Sequence, residues 1–186
     1  MPMHAALDQP SAWVTRFASL IRPGEALDLA CGSGRHARLL AARGLQVTAL
    51  DRDARSLAAA GGQGVNTVVH DLEAPGSRWP FAPGRFQGIV VTNYLHRPLF
   101  GAIVASLAPD GILIYETFAQ GNEVFGKPSN PDFLLAPGEL LDVAMRAGLR
   151  VLAYEDGVVS MPKPARVQRL CAAGAAFDGA SGKLDG

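Results

Sequence analysis

The stretch of sequence that decides the fold is LDLACGSGRHARLL, residues 27–40. It begins with apolar residues interrupted only by Asp28, continues through Gly32 and Gly34, and ends in a helical run that Gly44 closes. Glycine is favoured where a chain turns sharply and just after the end of a helix. The pattern predicts a buried strand, a glycine turn and a helix, which together form half of a βαβ unit. Ligands of open α/β sheets lie beyond the carboxyl ends of the strands, so we expect a nucleotide-like ligand at this turn.

Two interpretations of the turn compete. Gly32-x-Gly34-x-x-Ala37 fits the dinucleotide-binding fingerprint, and Asp51 follows at the distance where an acid would accept a hydrogen bond from a ribose hydroxyl. Asp28 separates the two interpretations, because a carboxylate at the end of the first strand would repel a pyrophosphate. A ligand that carries a positive charge suits this turn better.

The turn resembles the first motif of the class I S-adenosylmethionine-dependent methyltransferases, an acid followed by three alternating glycines. Asp28 matches the acid, Gly32 and Gly34 match the last two glycines, and Ala30 stands where the first glycine is usual. The resemblance runs roughly from residue 25 to residue 171. Within the class the chain is similar to small bacterial members, including those related to the tellurite-resistance methyltransferases.

The resemblance implies an α/β fold with a Rossmann-like, doubly wound, seven-stranded sheet that is mostly parallel and has its last strand antiparallel. We expect a single methyltransferase domain over residues 1–173, which begins with an N-terminal helix in residues 1–24. Residues 174–186 are rich in glycine and alanine, which predicts a disordered tail.

The resemblance also implies how the cofactor, S-adenosyl-L-methionine, is bound. We expect one acid near the methionine ammonium, a second for the ribose hydroxyls and a third for the adenine amine. We also expect the cofactor to approach the glycine turn closely and an asparagine to lie beside its methionine part. The cofactor-binding residues predicted in this way are Asp28, Ala30, Cys31, Gly32, Gly34, Asp51, Arg52, Asp71, Leu72 and Asn93. Simpler roles stay open: a cap inside the fold for Asp28, turn formation for the later acids and Asn93, and packing for Cys31.

Methyl transfer from a sulfonium requires alignment of the acceptor and exclusion of water, and it needs a general base only for some acceptors. Tyr94 and His96 leave the fourth predicted strand beside the expected methyl position and are the predicted catalytic residues. His36 and Glu116 are less favoured candidates. His96 has the alternative role of bracing the next helix.

Residues 118–136 form a connection that is long for a compact domain and rich in glycine, asparagine and proline. It also contains apolar anchors, which favours a lid over the ligand end of the sheet. The lid residues predicted to contact the acceptor are Asn122, Phe125, Lys127 and Phe133.

Composition limits the remaining possibilities. Lys+Arg and Asp+Glu both number 17 among 186 residues, so no overall positive charge attracts a nucleic acid. Two cysteines give neither a disulfide framework nor the spacing of a metal site, and no metal is predicted. The sequence has no apolar run long enough to span a bilayer, and its first residues lack the pattern of a signal peptide. These observations predict a cytoplasmic protein without a membrane partner.

The predicted function is methyl transfer from S-adenosylmethionine to a small-molecule acceptor by direct in-line displacement. Three alternatives stay open: an S-adenosylmethionine-binding protein without catalysis, an NAD-dependent oxidoreductase, and a methyltransferase that acts on RNA or protein. The oligomeric state is left open.

Overall fold

The sheet of the computed structural model, which describes residues 8–179, has seven strands in the order β3-β2-β1-β4-β5-β7-β6. Strands β1 to β5 are parallel, and β7 runs antiparallel to both of its neighbours. The strands are β1 (Glu25–Leu29), β2 (Gln46–Asp51), β3 (Val65–Val69), β4 (Phe86–Thr92), β5 (Leu107–Phe118), β6 (Arg150–Val159) and β7 (Ala165–Ala173). The predicted fold is therefore confirmed, including its antiparallel last strand.

Helices cover both faces of the sheet, because the parallel strands have apolar side chains on both sides. In β5, Ile112 and Ile114 belong to one hydrophobic cluster, whereas Leu113 and Tyr115 belong to the other. The α-helices are α1 (Ala12–Phe17), α2 (Arg35–Ala42), α3 (Ala54–Leu57), α4 (Phe100–Ala105) and α5 (Glu139–Arg146). Side chains of α1 and α2 pack in the first cluster, and those of α4 and α5 pack in the second.

The N-terminal helix is shorter than the predicted range of residues 1–24. Helix α1 begins after Ser11, whose Oγ accepts a hydrogen bond from the Trp13 amide at 3.1 Å. A 3₁₀ turn, Ala18–Leu20, follows α1 directly. Residues 1–7 lie outside the described part of the chain.

The prediction of a tail beginning at residue 174 is wrong for its first part. The amide of Gly174 donates to the Gly111 carbonyl at 2.9 Å, and the Ala176 amide donates to the Pro109 carbonyl at 2.8 Å. Phe177 is only 6% exposed. The sequence hides this contact because its partners lie more than 60 residues earlier in the chain. Residues 180–186 lie outside the described part.

The strand order places the switch in direction between β1 and β4. The chain proceeds from β1 to β2 and β3 on one side, and then returns to place β4 and β5 on the other side. The crevice at such a switch point is where open α/β sheets bind their ligands. Within residues 8–179, no helix is both long enough and apolar enough to cross a membrane.

Candidate functional site

A cavity of about 510 Å³ lies at the carboxyl ends of strands β1 to β5, which include the switch point. It brings together residues that are far apart in sequence and that follow four different strands. Of the residues predicted above, its wall contains Ala30, Asp51, Arg52, Asp71, Leu72, Asn93, Tyr94 and Phe133. Leu50, His70, Glu73, Leu95, Thr117, Phe118 and Pro128 complete the lining.

The two glycines of the turn serve different purposes. Both have positive φ, 54° at Gly32 and 76° at Gly34. A Cβ at Gly32 would meet nothing within 4 Å, so this glycine leaves open space beside the backbone. A Cβ at Gly34 would lie 2.5 Å from the Ala60 Cβ, so that glycine permits the close approach of α2 to the end of α3.

Two residues of the cavity wall other than glycine also have positive φ, Ala30 at 53° and Asn93 at 55°. They follow β1 and β4, the strands on either side of the switch point. A left-handed conformation costs about 1 kcal/mol or more for alanine, which explains why glycine is usual at the position of Ala30. Backbone strain is therefore concentrated at the crevice.

Asp51 fixes the geometry of the glycine turn. Its Oδ2 accepts a hydrogen bond from the Gly32 amide at 2.8 Å, and its Oδ1 accepts one from the Asp53 amide at 2.9 Å. Each oxygen keeps a second lone-pair site on a half-buried side chain. The carboxylate can thus accept from two ligand hydroxyls without releasing its backbone partners.

The third acid, Asp71, follows β3 and is exposed on the cavity wall. Its Oδ1 accepts from the Glu73 amide at 2.9 Å, which forms a turn with the residues that follow. Glu73 is hydrogen-bonded to the Tyr94 hydroxyl, and burial together with this carboxylate raises the pKa of Tyr94 well above its usual value. Tyr94 is therefore a hydrogen-bond donor at neutral pH and does not supply a base.

Asp28 does not line the cavity and has no exposed surface. Its Oδ2 accepts from the Ala37 amide at 2.8 Å, and its Oδ1 is a buried oxygen without a hydrogen-bond partner. Burial raises the pKa of Asp28 to about 7. The structure gives Asp28 the capping role that the sequence left open, and Oδ1 is the atom left for an additional donor.

Cys31 packs in the core, 7% exposed, and its amide donates to the Leu50 carbonyl at 3.0 Å. Burial raises the pKa of its thiol, so Cys31 is not a nucleophile at neutral pH. Its predicted part in the site is limited to the backbone of the turn.

Neither His96 nor His36, the two histidines considered as candidate bases, lies on the cavity wall. His96 precedes the 3₁₀ turn Arg97–Leu99, and its carbonyl accepts from the Leu99 amide at 3.0 Å. This placement agrees with the bracing alternative and gives no support to catalysis by His96. His36 is buried and its Nε2 accepts from the Ser11 amide at 3.0 Å, while burial lowers the pKa of its imidazole to about 3.

The predicted lid is present, but only part of it faces the cavity. Phe133 and Pro128 line the cavity, whereas Phe125 and Lys127 are exposed and do not. Asn122 was predicted to contact the acceptor, and this is wrong. Its Nδ2 donates to the Pro128 carbonyl at 2.9 Å and its Oδ1 accepts from the Arg166 amide at 3.0 Å, so its buried amide holds the lid to β7.

Sequence reasoning missed Arg97, which secures the other end of the lid. Its guanidinium donates to the carbonyls of Asp132 and Leu134, both at 2.9 Å, and forms a bidentate ion pair with Glu139. The partners lie 35 to 42 residues away along the chain, so no local pattern indicated this contact.

A second cavity of about 340 Å³ adjoins the first, and Asn93 and Phe118 contribute to both walls. Its other lining residues come from the segment before α1, from α2, from β5 and from the hairpin of β6 and β7. Glu116 lies on this wall, where its Oε1 accepts from the Ser11 hydroxyl and its Oε2 accepts from Arg169. Across residues 8–179, no three metal-binding side chains cluster together.

Comparisons with known proteins agree with this geometry. Residues 26–111 match a family model described as a methyltransferase domain. YqeM of Bacillus subtilis (strain 168), named as a methyltransferase, is 31% identical over 128 residues, which are 61% of this chain and 49% of the relative. The chain therefore spans about half the length of that curated relative.

Two solved structures share the fold. TehB from Haemophilus influenzae has a TM-score of 0.74 at 19% identity, over 89% of this chain and 62% of that one. Phosphoethanolamine N-methyltransferase 2 from Haemonchus contortus, in complex with S-adenosyl-L-methionine, has a TM-score of 0.69 at 17% identity, over 88% of this chain and 51% of that one.

Proposed function

We propose that the chain is an S-adenosylmethionine-dependent methyltransferase acting on a small molecule, since residues 26–111 match a methyltransferase-domain model and the chain shares its fold with solved methyltransferase structures. The observation that carries the proposal is that Asp51 and Asp71 line one cavity, while the Gly32 amide, which lies beside open space, donates to Asp51. These groups follow three different strands and meet only because the strands are parallel neighbours.

The charge of the site favours a cationic ligand over a dinucleotide. Asp51, Asp71 and Glu73 line the cavity, and Arg52 is the basic residue among its lining. Asp28 lies behind the same turn with its unpartnered oxygen. A pyrophosphate placed at this turn would meet unfavourable charge, whereas a sulfonium and an ammonium would not.

The residues present fit the cofactor part by part. Asp51 would accept from the ribose hydroxyls, and Asp71 would accept from the adenine amine beside Leu72. The open space at Gly32 would admit the methionine part close to the backbone, and Asn93 on the cavity wall could contact the same part. The Oδ1 of Asp28 is buried behind the cavity wall and has no partner, so it would interact with the ammonium through a bridging water molecule.

When bound, S-adenosylmethionine would supply an electrophilic methyl group on a sulfonium sulfur, for transfer to a lone pair of the acceptor while the carbon–sulfur electron pair stays with the sulfur. A proton lost by the acceptor atom would pass to solvent. The chain contributes orientation and exclusion of solvent. Tyr94 stays protonated and donates, and both oxygens of Glu116 are already engaged, so we assign no general base.

A small acceptor is supported by the scale and charge of the site. The second cavity holds about 340 Å³, which is at the lower end of ligand pockets. The equal numbers of acidic and basic residues provide no broad positive field for RNA.

Calorimetry with S-adenosylhomocysteine and with NAD⁺ tests the proposal. We expect S-adenosylhomocysteine to bind and to raise the melting temperature, since a ligand at about 100 times its Kd stabilises by roughly 2.7 kcal/mol. NAD⁺ should have no effect. Asp51→Ala should lose binding, and Asp110→Asn, at a surface ion pair with Arg22, serves as the matched control.

Binding of NAD⁺ alone would overturn the proposal in favour of a dinucleotide enzyme. Binding of S-adenosylhomocysteine without methyl transfer to any extract of small metabolites would favour a binding protein without catalysis. Transfer to RNA or protein alone would overturn the small-molecule part.

A further inference from the structure

We propose that the second cavity binds the methyl acceptor, and that this acceptor is a small organic acid with an apolar body. The inference rests on the proposed function and specifies its substrate class. Because Asn93 and Phe118 belong to both walls, a molecule in the second cavity lies directly beside one in the first. Asn93 is held at this boundary by its amide, which donates to the Glu116 carbonyl at 2.9 Å.

The wall of the second cavity is apolar over most of its residues. Phe118, Val159, Met161, Ala165 and Val167 are examples from β5 and the β6–β7 hairpin. Met161 is 71% exposed and belongs to this wall, so a ligand in the cavity would cover part of its apolar surface. An acceptor that fills this cavity therefore has an aromatic or aliphatic body.

The charged residues on the same wall favour an acid. The single carboxylate, Glu116, is held by Arg169, so these two charges offset each other. Arg169 also contacts Glu155 at 3.3 Å. Lys163 then gives the wall a positive charge that a carboxylate of the acceptor would balance.

Lys163 is presented in a rigid way. It lies between Pro162 and Pro164 in the turn that joins β6 and β7, and each proline fixes its own φ. Its ammonium forms no ion pair with any residue from 8 to 179. An exposed lysine on a stiff turn at the mouth of an apolar cavity is suited to an anionic ligand group.

The test compares acids with their neutral amides. We titrate matched pairs, such as cinnamate with cinnamamide and hexanoate with hexanamide, into the full chain saturated with S-adenosylhomocysteine. Selenite is titrated in the same way as an inorganic anion. We expect acids to bind at least about threefold more tightly than their amides, in keeping with one charge-assisted hydrogen bond. Radiolabelled methyl transfer to nucleophile-bearing analogues of the acids that bind is then measured.

Three variants locate the contact. Lys163→Gln should remove the preference for acids, and Met161→Glu should weaken acid binding by about tenfold through repulsion at an exposed position. Lys127→Gln is the matched control, because Lys127 is an exposed lysine that lines neither cavity. None of these three changes should alter the affinity for S-adenosylhomocysteine.

Equal binding of acids and amides would overturn the inference, as would an unchanged preference in Lys163→Gln. Binding of selenite, together with no binding of any organic acid, would overturn the inference that the acceptor has an apolar body. These failures are distinct from a failure of the proposed function, which is read from S-adenosylhomocysteine binding to the unaltered protein. If S-adenosylhomocysteine does not bind, the acids and amides are still titrated into the chain without S-adenosylhomocysteine.

Discussion

Asp28 and Ala37 are joined by a hydrogen bond of 2.8 Å from the amide to Oδ2, inside a site with no solvent exposure. The other carboxylate oxygen has no partner, and Asp51 lies near enough to add to the rise in pKa. Arg35 and Arg38 oppose that rise but do not cancel the effect of burial. An acid at the centre of the glycine turn therefore has a pKa of about 7.

This pKa predicts that Asp28 lowers the stability of the ligand-free protein as pH rises. In the unfolded chain the acid titrates near 3.8, so between about pH 4 and pH 7 the folded state binds a proton that the unfolded state lacks. The stabilisation that this extra proton gives the folded state amounts to roughly 4 kcal/mol. It is fully present below pH 4 and is lost above pH 7. Urea unfolding of Asp28→Asn should therefore show stability that rises from about pH 4 to pH 6.5, because the opposite effect of His36 is then unopposed, whereas Asp110→Asn should follow the unaltered protein.

His36 predicts the opposite dependence. Its pKa is lowered from 6.5 to about 3, so between these values the unfolded chain binds a proton that the folded chain does not. The contribution is present above pH 6.5 and is lost as the pH falls towards 3. His36→Gln, which keeps an acceptor for the Ser11 amide, should abolish this loss.

The two effects offset each other between about pH 4 and pH 6.5 in the unaltered protein. Each single variant should therefore show a steeper pH dependence than the parent over that range, with opposite slopes. Parallel slopes for the two variants would contradict the assignment.

The crowding at Gly34 predicts a large loss of stability for Gly34→Ala. A Cβ would lie 2.5 Å from the Ala60 Cβ at a φ of 76°, which combines a clash with an unfavourable backbone conformation. We expect the free energy of unfolding to fall by about 2 to 4 kcal/mol. Gly101→Ala is the matched control, since its Cβ would meet nothing within 4 Å in helix α4 and should stabilise by about 0.5 to 1 kcal/mol.

The positive φ of Ala30 makes a substitution to glycine at this position informative. Ala30→Gly relieves the left-handed alanine, and this gain offsets the greater flexibility of glycine in the unfolded chain. Chemical denaturation should show a change within about 1 kcal/mol of zero. Ala30→Val, with a branched side chain at the same φ, should destabilise clearly and lower the affinity for S-adenosylhomocysteine.

Arg97 predicts a link between the lid and cofactor affinity. Arg97→Leu removes the hydrogen bonds to the Asp132 and Leu134 carbonyls and the ion pair with Glu139, so Phe133 loses its support at the cavity wall. Hydrogen exchange should increase in residues 128–136, and the Kd for S-adenosylhomocysteine should rise several-fold. Arg22→Leu, which breaks the surface pair with Asp110, is the control that should change neither. An unchanged lid in Arg97→Leu would show that the apolar contacts alone hold it.

The sequence by itself determined the sheet and the cofactor end of the site. The glycine turn after β1 and the acids after β2 and β3 follow local patterns, and parallel strands bring their carboxyl ends to one edge. The resemblance to the class I methyltransferases predicts Asp51, Asp71 and Asn93 as cofactor-binding residues, and all three lie on one cavity wall.

Only the tertiary structure decided the roles that depend on contacts between distant segments. Asn122 and Phe133 are both polar or aromatic groups in one loop, yet one holds the backbone of β7 and the other faces the cavity. Burial separates Asp28 from the cavity wall, and His96 is not part of that wall although residues 93–95 just before it are. Arg97 and Lys163 have no local signal, because their surroundings are assembled from the lid and from a hairpin formed late in the chain. Local spacing fixes which strand end a residue follows, whereas the packing of the loops around that edge fixes which side chains reach a ligand.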